Sequence, residues 1–171
     1  MSRKHPIISI TGSSGAGTTS VKRTFEQIFH REQVKAVYIE GDAFHRYDRA
    51  EMRAQMAKAA KRGNKHFSHF SPQTNLFEEL ETAFRDYGAR GSAVTRHYVH
   101  DDEEAARHGK PPGTFTDWAT LPENSDLLFY EGLHGAVMTD KVRRVDQLHA
   151  TPQVVAQLAS PLFAHRGFFR V

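Results

Sequence analysis

The chain has 171 residues, 39% of them hydrophobic and 25% charged, with no cysteine. That length suits one domain and can bury roughly two thirds of its unfolded surface, so neither disulfides nor metals are needed to hold it together. Absent cysteine excludes a thiolate nucleophile and a Cys-ligated zinc site, and a net charge of 23 − 20 = +3 is too mild to indicate nucleic acid as a partner.

Residues 6–10 form a short β-branched run ending at Thr11-Gly12, the pattern of a buried parallel strand. No long apolar stretch follows the basic start. Neither a signal peptide nor a membrane span is therefore expected, and a cytoplasmic protein is the default reading. A glycine-rich turn leads into a helix over 17–30, where Val21, Phe25, Ile28 and Phe29 share one stripe. A second strand is expected over 35–40. Together these make a βαβ unit, hence an α/β fold with a parallel sheet.

Further along, 48–62 reads as an exposed basic helix with Met52 and Met56 as a weak apolar face. Residues 63–75 read as a His-, Ser- and Phe-rich loop, 76–87 as a helix, 94–99 as a strand, and Pro111-Pro112-Gly113 as a loop. Residues 127–130 make a third apolar strand, entering Glu131-Gly132. Beyond it the pattern weakens, with a helix expected over 151–159.

Between the first strand and helix lies Gly12-Ser13-Ser14-Gly15-Ala16-Gly17-Thr18-Thr19. This fits the phosphate-loop pattern at Gly12, Gly17 and Thr19, with Thr18 where lysine is usual. Glycines let backbone N–H groups converge on phosphate oxygens, and the helix N-terminus adds partial positive charge. The Thr19 hydroxyl can ligate Mg²⁺. With no lysine at position 18, another cation has to serve the phosphates.

Glu40-Gly41-Asp42 closes the second strand, and ligands of parallel α/β sheets lie at the carboxyl ends of strands. Asp42 is placed to accept a proton from an attacking hydroxyl, as kinases require. Glu131, at the end of the third strand, is placed to hold Mg²⁺ directly or through water. His45, Arg46 and Arg49 follow Asp42 and suit an acceptor that carries its own phosphate, although a basic helix start on the surface looks the same in sequence.

The spacing of His66 and His69, and of His97 and His100 beside Asp101-Asp102, permits a metal site but offers no compact third ligand. Surface or sugar-phosphate roles are favoured. Asp101 to Glu104 open a helix, and Trp118 reads as packing.

Several segments together resemble bacterial phosphoribulokinase. They are Ile8-Ser9-Ile10-Thr11 with the phosphate loop, threonine at position 18 included; Ile39-Glu40-Gly41-Asp42-Ala43-Phe44-His45-Arg46; Phe67-Ser68-His69-Phe70-Ser71-Pro72; Arg96-His97-Tyr98-Val99-His100-Asp101-Asp102; and Phe129-Tyr130-Glu131-Gly132-Leu133-His134-Gly135. The resemblance runs from about residue 2 to residue 142. It implies a P-loop NTPase-like three-layer sandwich with a mainly parallel sheet. It also implies ATP-dependent phosphorylation of D-ribulose 5-phosphate to ribulose 1,5-bisphosphate, with ATP and Mg²⁺ as cofactors. On this resemblance Asp42 is the base, Glu131 serves Mg-ATP, and His45, Arg49 and His100 contact the sugar phosphate. Arg31 lies in a region linked to regulation.

The resemblance divides the chain into a kinase-like part, 1–142, and an unmatched basic tail, 143–171. From residue 1 to 131 there are 18 basic and 18 acidic residues; the last forty hold five and two. Arg143, Arg144, Arg166 and Arg170 do not match the family's basic segment, and members of the family are longer. A kinase core cut short is therefore expected, its sheet incomplete on the C-terminal side. The first strand would then be an apolar edge inviting a second copy, a homo-oligomer. Another P-loop small-metabolite kinase, of the uridine kinase type, and a non-catalytic nucleotide-binding fragment stay open. A nucleic-acid module lacks its basic face.

Overall fold

The computed structural model describes residues 4–12 and 16–134 and the backbone of 153–155. Four strands form the main sheet: β1 (Ile7–Thr11), β2 (Ala36–Glu40), β5 (Leu127–Glu131) and β6 (Gln153–Val155), in the order β2-β5-β1-β6. β5 lies parallel to both β1 and β2. The crossover from β1 to β2 through α1 (Thr18–Arg31) thus spans one strand position, which β5 fills.

The register explains where a site can form. Ile10 and Glu40 both pair with Glu131, so β1, β2 and β5 end level along one edge. The turn after each strand opens at that edge.

Each strand alternates across the sheet, as its period of two demands. Ile8, Ile10, Leu127 and Phe129 pack on one face, with Phe29, Phe25 and Val21 of α1 covering them. Val37, Ile39, Leu128 and Tyr130 pack on the other. There Leu80, Ala83 and Tyr87 of α3 (Phe77–Arg90) complete the core. Helix, sheet and helix make the three layers expected.

Two shorter helices stand outside these layers. α2 (Arg49–Lys61) begins with a reciprocal cap: Glu51 N–H donates to Asp48 Oδ1 at 2.8 Å, and Asp48 N–H donates to Glu51 Oε2 at 3.1 Å. Met52 is buried, but Met56 is 41% exposed, so the apolar face of α2 is narrower than its sequence indicates. α4 (Asp102–His108) is capped by Asp101, which accepts from Glu104 N–H at 2.9 Å.

Three expectations are corrected. Residues 153–155 are strand, not helix: the Val154-Val155 pair is β-branched and finds hydrogen-bond partners on β1, running antiparallel to it. That pairing also places β1 inside the sheet, not at an edge. Only Val94–Thr95 (β3) of the strand expected over 94–99 is regular, pairing with β4 (Ala119–Thr120). The chain then turns inward at Arg96, and Tyr98 makes a single bridge to Phe115. Arg143, Arg144, Arg166 and Arg170 lie outside the described residues.

Candidate active site

The phosphate loop leaves β1 at Gly12 and reaches α1 at Gly17. Gly17 adopts a φ of 84°, a left-handed conformation that favours glycine. It caps α1 without a side chain, and no acidic residue sits in the first turn. No carboxylate of the first turn thus opposes the partial positive charge on the opening N–H groups of α1. Thr18 and Thr19 open that helix, with Thr19 exposed. Ser13, Ser14 and Gly15 lie outside the described residues.

One turn down α1 sits Lys22. Its ammonium donates to Glu40 Oε1 at 2.6 Å and lies 5.9 Å from the centre of the Tyr38 ring. Burial works against its charge, but the hydrogen bond and charge of Glu40 outweigh it and hold its pKa up, with Glu26 and Glu131 assisting. Lys22 thus stands one helical turn after the position where Thr18 replaces lysine, with its ammonium on Glu40. Lys22 carries no motif signal; its spacing from Thr18, one helical turn, is the only trace in sequence.

On the other side of the edge, the turn Gly41–Phe44 carries Asp42 out of β2. The Asp42 carboxylate is half exposed and lies between two imidazoles: His45 Nε2 at 3.2 Å from Oδ1 and His100 Nε2 at 3.9 Å from Oδ2. The hydrogen bond from His45 holds Asp42 below the usual carboxylate range, against the pull of burial, and the charges of His45, His100 and His69 assist. Arg49 is drawn in as well. Its Nη2 donates to His100 O at 3.0 Å, and its chain runs across Gly113. A Cβ on Gly113 would meet Arg49 Cβ at 2.8 Å, and its φ of +85° also favours glycine. Asp42, His45 and Arg49, neighbours in sequence, and His100, far along the chain, are therefore one cluster.

Two residues that hold this cluster escaped the sequence reading. Arg96 donates from Nε to Ala43 O at 2.8 Å and from Nη2 to His45 O at 2.7 Å. Its guanidinium lies 3.6 Å from the centre of the Phe115 ring and 4.6 Å from that of Trp118. Trp118 is thus packing, as its sequence indicates. Asn75 bonds His45 from behind, Oδ1 to Nδ1 at 2.9 Å. Arg96 falls in the run expected as a strand and Asn75 at the end of a loop, and both act through contacts far along the chain.

His134 packs edge-on to Phe77, only 4% exposed. Burial pushes its pKa down to about 4, with the charge of His45 assisting and that of Asp42 opposing. Among the described residues, no group of three or more His, Asp or Glu is arranged to hold a metal. His97 stacks on His108, ring centres 4.9 Å apart.

A glycine loop between a parallel strand and a helix, with carboxylates at neighbouring strand ends, defines a P-loop kinase fold. The chain belongs to the phosphoribulokinase / uridine kinase family, whose model matches residues 7–153. It is 77% identical to the phosphoribulokinase of Nitrobacter vulgaris over 142 residues, covering 83% of this chain and 49% of that protein. It is 64% identical to the chromosomal phosphoribulokinase of Cupriavidus necator, with the same coverage. The solved phosphoribulokinase from Rhodobacter spheroides superposes with a TM-score of 0.71 at 54% identity, covering 82% of this chain and 47% of that one. The chain thus spans about half the length of the curated relatives it matches. No helix among the described residues is long and apolar enough to cross a membrane.

Proposed function

We propose that this chain carries the nucleotide-binding and acceptor-binding parts of a kinase that transfers the γ-phosphoryl group of ATP to the 1-hydroxyl of D-ribulose 5-phosphate. The carrying observation is the ionised, half-exposed Asp42 at the end of β2, flanked by His45, His100 and Arg49, on the sheet edge that bears the phosphate loop. The names of the relatives supply the acceptor.

In this reading Asp42 accepts the proton of the attacking hydroxyl. His45, Arg49 and His100 receive the acceptor's phosphate. Gly12 to Thr19 wrap the phosphates of ATP. Thr19 and Glu131 are the residues that would hold Mg²⁺. One hydroxyl and one carboxylate, with no larger acidic cluster among the described residues, suit an ion that keeps most of its shell for water and phosphate oxygen. Bound there, Mg²⁺ would offset charge on the β- and γ-phosphates. The reading carries with it a cytoplasmic location and a small-molecule acceptor as partner; a homo-oligomer loses its expected seam, since β1 lies inside the sheet.

A second reading, nucleotide binding without transfer, is favoured by Thr18, which leaves the loop without its own cation. The test is ATP-dependent turnover of ribulose 5-phosphate, uridine and pantothenate by this chain and by Asp42→Asn. Turnover of ribulose 5-phosphate alone, lost in Asp42→Asn by roughly 10²–10⁴-fold with nucleotide affinity kept, is expected. Turnover of uridine alone would overturn the acceptor. Binding of ATP with no turnover of any acceptor would favour the second reading.

A further inference from the structure

Asn75 is 3% exposed and follows the turn Pro72–Thr74. Its backbone forms an antiparallel bridge with His45. On either side, Arg46 N–H donates to Thr74 O and Leu76 N–H donates to Phe44 O, each at 2.8 Å. Two backbone segments are thus locked in register, and the meeting of the two side chains follows from that register.

The orientation of the Asn75 amide is determined by its surroundings. Nδ2 donates to His69 O and to Ser71 O, both at 2.9 Å. Those carbonyls can only accept, and turning the amide over would set its oxygen against both. Oδ1 is therefore the atom that faces His45 Nδ1 at 2.9 Å. An amide oxygen only accepts, so Nδ1 must carry a hydrogen.

The consequence falls on the other ring nitrogen. In neutral His45, Nε2 is left with a lone pair, 3.2 Å from Asp42 Oδ1. Two acceptors do not rest at that separation without a proton between them. Asp42 and His45 therefore share one proton.

We propose that Asn75 is a positioning residue: it holds Nδ1–H of His45, so that Nε2 is the nitrogen that carries the proton shared with Asp42 and the Asp42 carboxylate is left ionised to accept the proton of the hydroxyl. This rests on the kinase reading above. As the acceptor oxygen bonds to phosphorus, its O–H bond breaks and the proton passes to the Asp42 carboxylate. The bond from phosphorus to the leaving oxygen breaks, and ADP departs with that electron pair. The proton that the pair already shares stays on His45 Nε2, and Nδ1–H stays on Asn75 Oδ1.

Other titratable and charged groups surround the pair. His69 lies 5.4 Å from the His45 ring, and His100 faces Asp42 from the far side. His134 lies within range of the charge on His45. Arg96 holds the His45 carbonyl, and Arg46 holds those of Gln73 and Asn75. Asp42 is the anion facing the ring among these groups.

The test is two-bond ¹H–¹⁵N correlation on the intact chain labelled at histidine, with His45 assigned by its loss in His45→Gln. At a pH where His45 is neutral, a protonated, pyrrole-type Nδ1 and a pyridine-type Nε2 are expected. The opposite tautomer would overturn the proposal. In Asn75→Leu the neutral ring is expected to switch to Nε2–H, and an unchanged spectrum would overturn it. Should Asn75→Leu fail to fold, the wild-type spectrum decides alone.

Where ribulose 5-phosphate is turned over, Asn75→Leu is expected to lower kcat about tenfold or more with KM for ATP unchanged. Wild-type kcat in that variant would remove Asn75 from the positioning role. An absence of turnover would count against the kinase reading, while the tautomer would still be read.

Discussion

A Cβ on Gly132 would stand 2.7 Å from the Cα of Gly41, and one on Gly41 would stand 3.0 Å from the Cα of Gly132. The first residues beyond β2 and β5 therefore touch backbone to backbone. Neither adopts a positive φ, so the requirement is for space, not for conformation. A methyl group on Gly41 would also meet Tyr130 Oη at 2.7 Å. Gly41→Ala and Gly132→Ala are each expected to lower stability by roughly 1–3 kcal/mol, as overpacking does. Adding Tyr130→Phe should recover part of the loss in Gly41→Ala. Urea unfolding measures both, and unchanged midpoints would show that the strand ends separate freely.

Arg96 is a fork that a lysine cannot replace. It serves two carbonyls of the turn that carries Asp42 and lies against the Phe115 ring. Arg96→Lys keeps the charge but loses the planar geometry. A loss on the order of 1–3 kcal/mol is expected, the range for charged hydrogen bonds left unmade. Thermal unfolding at neutral pH checks it, and a melt equal to wild type would show that the fork contributes little.

The buried imidazole of His134 has a consequence for acid stability. Its pKa in the fold is about 4, against 6.5 for an ordinary histidine. Above pH 6.5 both folded and unfolded chains hold it neutral, so it has no pH effect there. As pH falls below 6.5, the unfolded chain takes up the proton and the folded chain does not. Stability therefore declines, by about 3 kcal/mol once pH reaches 4. His134→Gln should flatten that stretch of the curve. Asp42, held low by His45, acts in a lower window: its contribution is present above the ordinary carboxylate range and is lost as pH falls through its folded value. Denaturant midpoints from pH 7 to pH 3, in wild type and His134→Gln, separate the two.

Lys22 offers a further test of how the loop manages without lysine at position 18. Lys22→Met leaves Glu40 unpaired, with Glu131 close by, on the sheet face nearest the phosphate loop. ATP affinity is expected to fall about fivefold, as for a partly buried ion pair worth on the order of 1 kcal/mol. A fluorescent nucleotide titration reads this, and equal affinity would place the compensating charge elsewhere.

Much of this arrangement was legible in the sequence, and the reason is local. β1, α1 and β2 are contiguous and differ in apolar period, and the loop between them repeats a known spacing of glycines. The places of Asp42 and Glu131 at the strand ends were legible because an apolar run stops just before each. Other features depended on distant partners. Val154-Val155 has no period long enough to separate strand from helix, and β1 decides the matter. Arg96 lies in a run that alternates like a strand but is pulled aside by two carbonyls from the Asp42 turn. Asn75 ends a loop of mixed polar residues, and only its register with His45 gives it a role. Glycine spacing could have pointed to Gly41 and Gly132, since each follows a glutamate at a strand end.

That glycine pair also divides space. Glu40 and Glu131 rise on the α1 side of the sheet, where Lys22 meets Glu40. Ala43 and Phe44 anchor the Asp42 turn in the core on the α3 side. In the proposed reaction, nucleotide and sugar would arrive from opposite sides of a wall whose top course is bare backbone. A phosphoryl group crossing there meets no side chain from either glycine. The oxygen it leaves and the oxygen it joins would stand on opposite flanks, the in-line order that phosphoryl transfer requires.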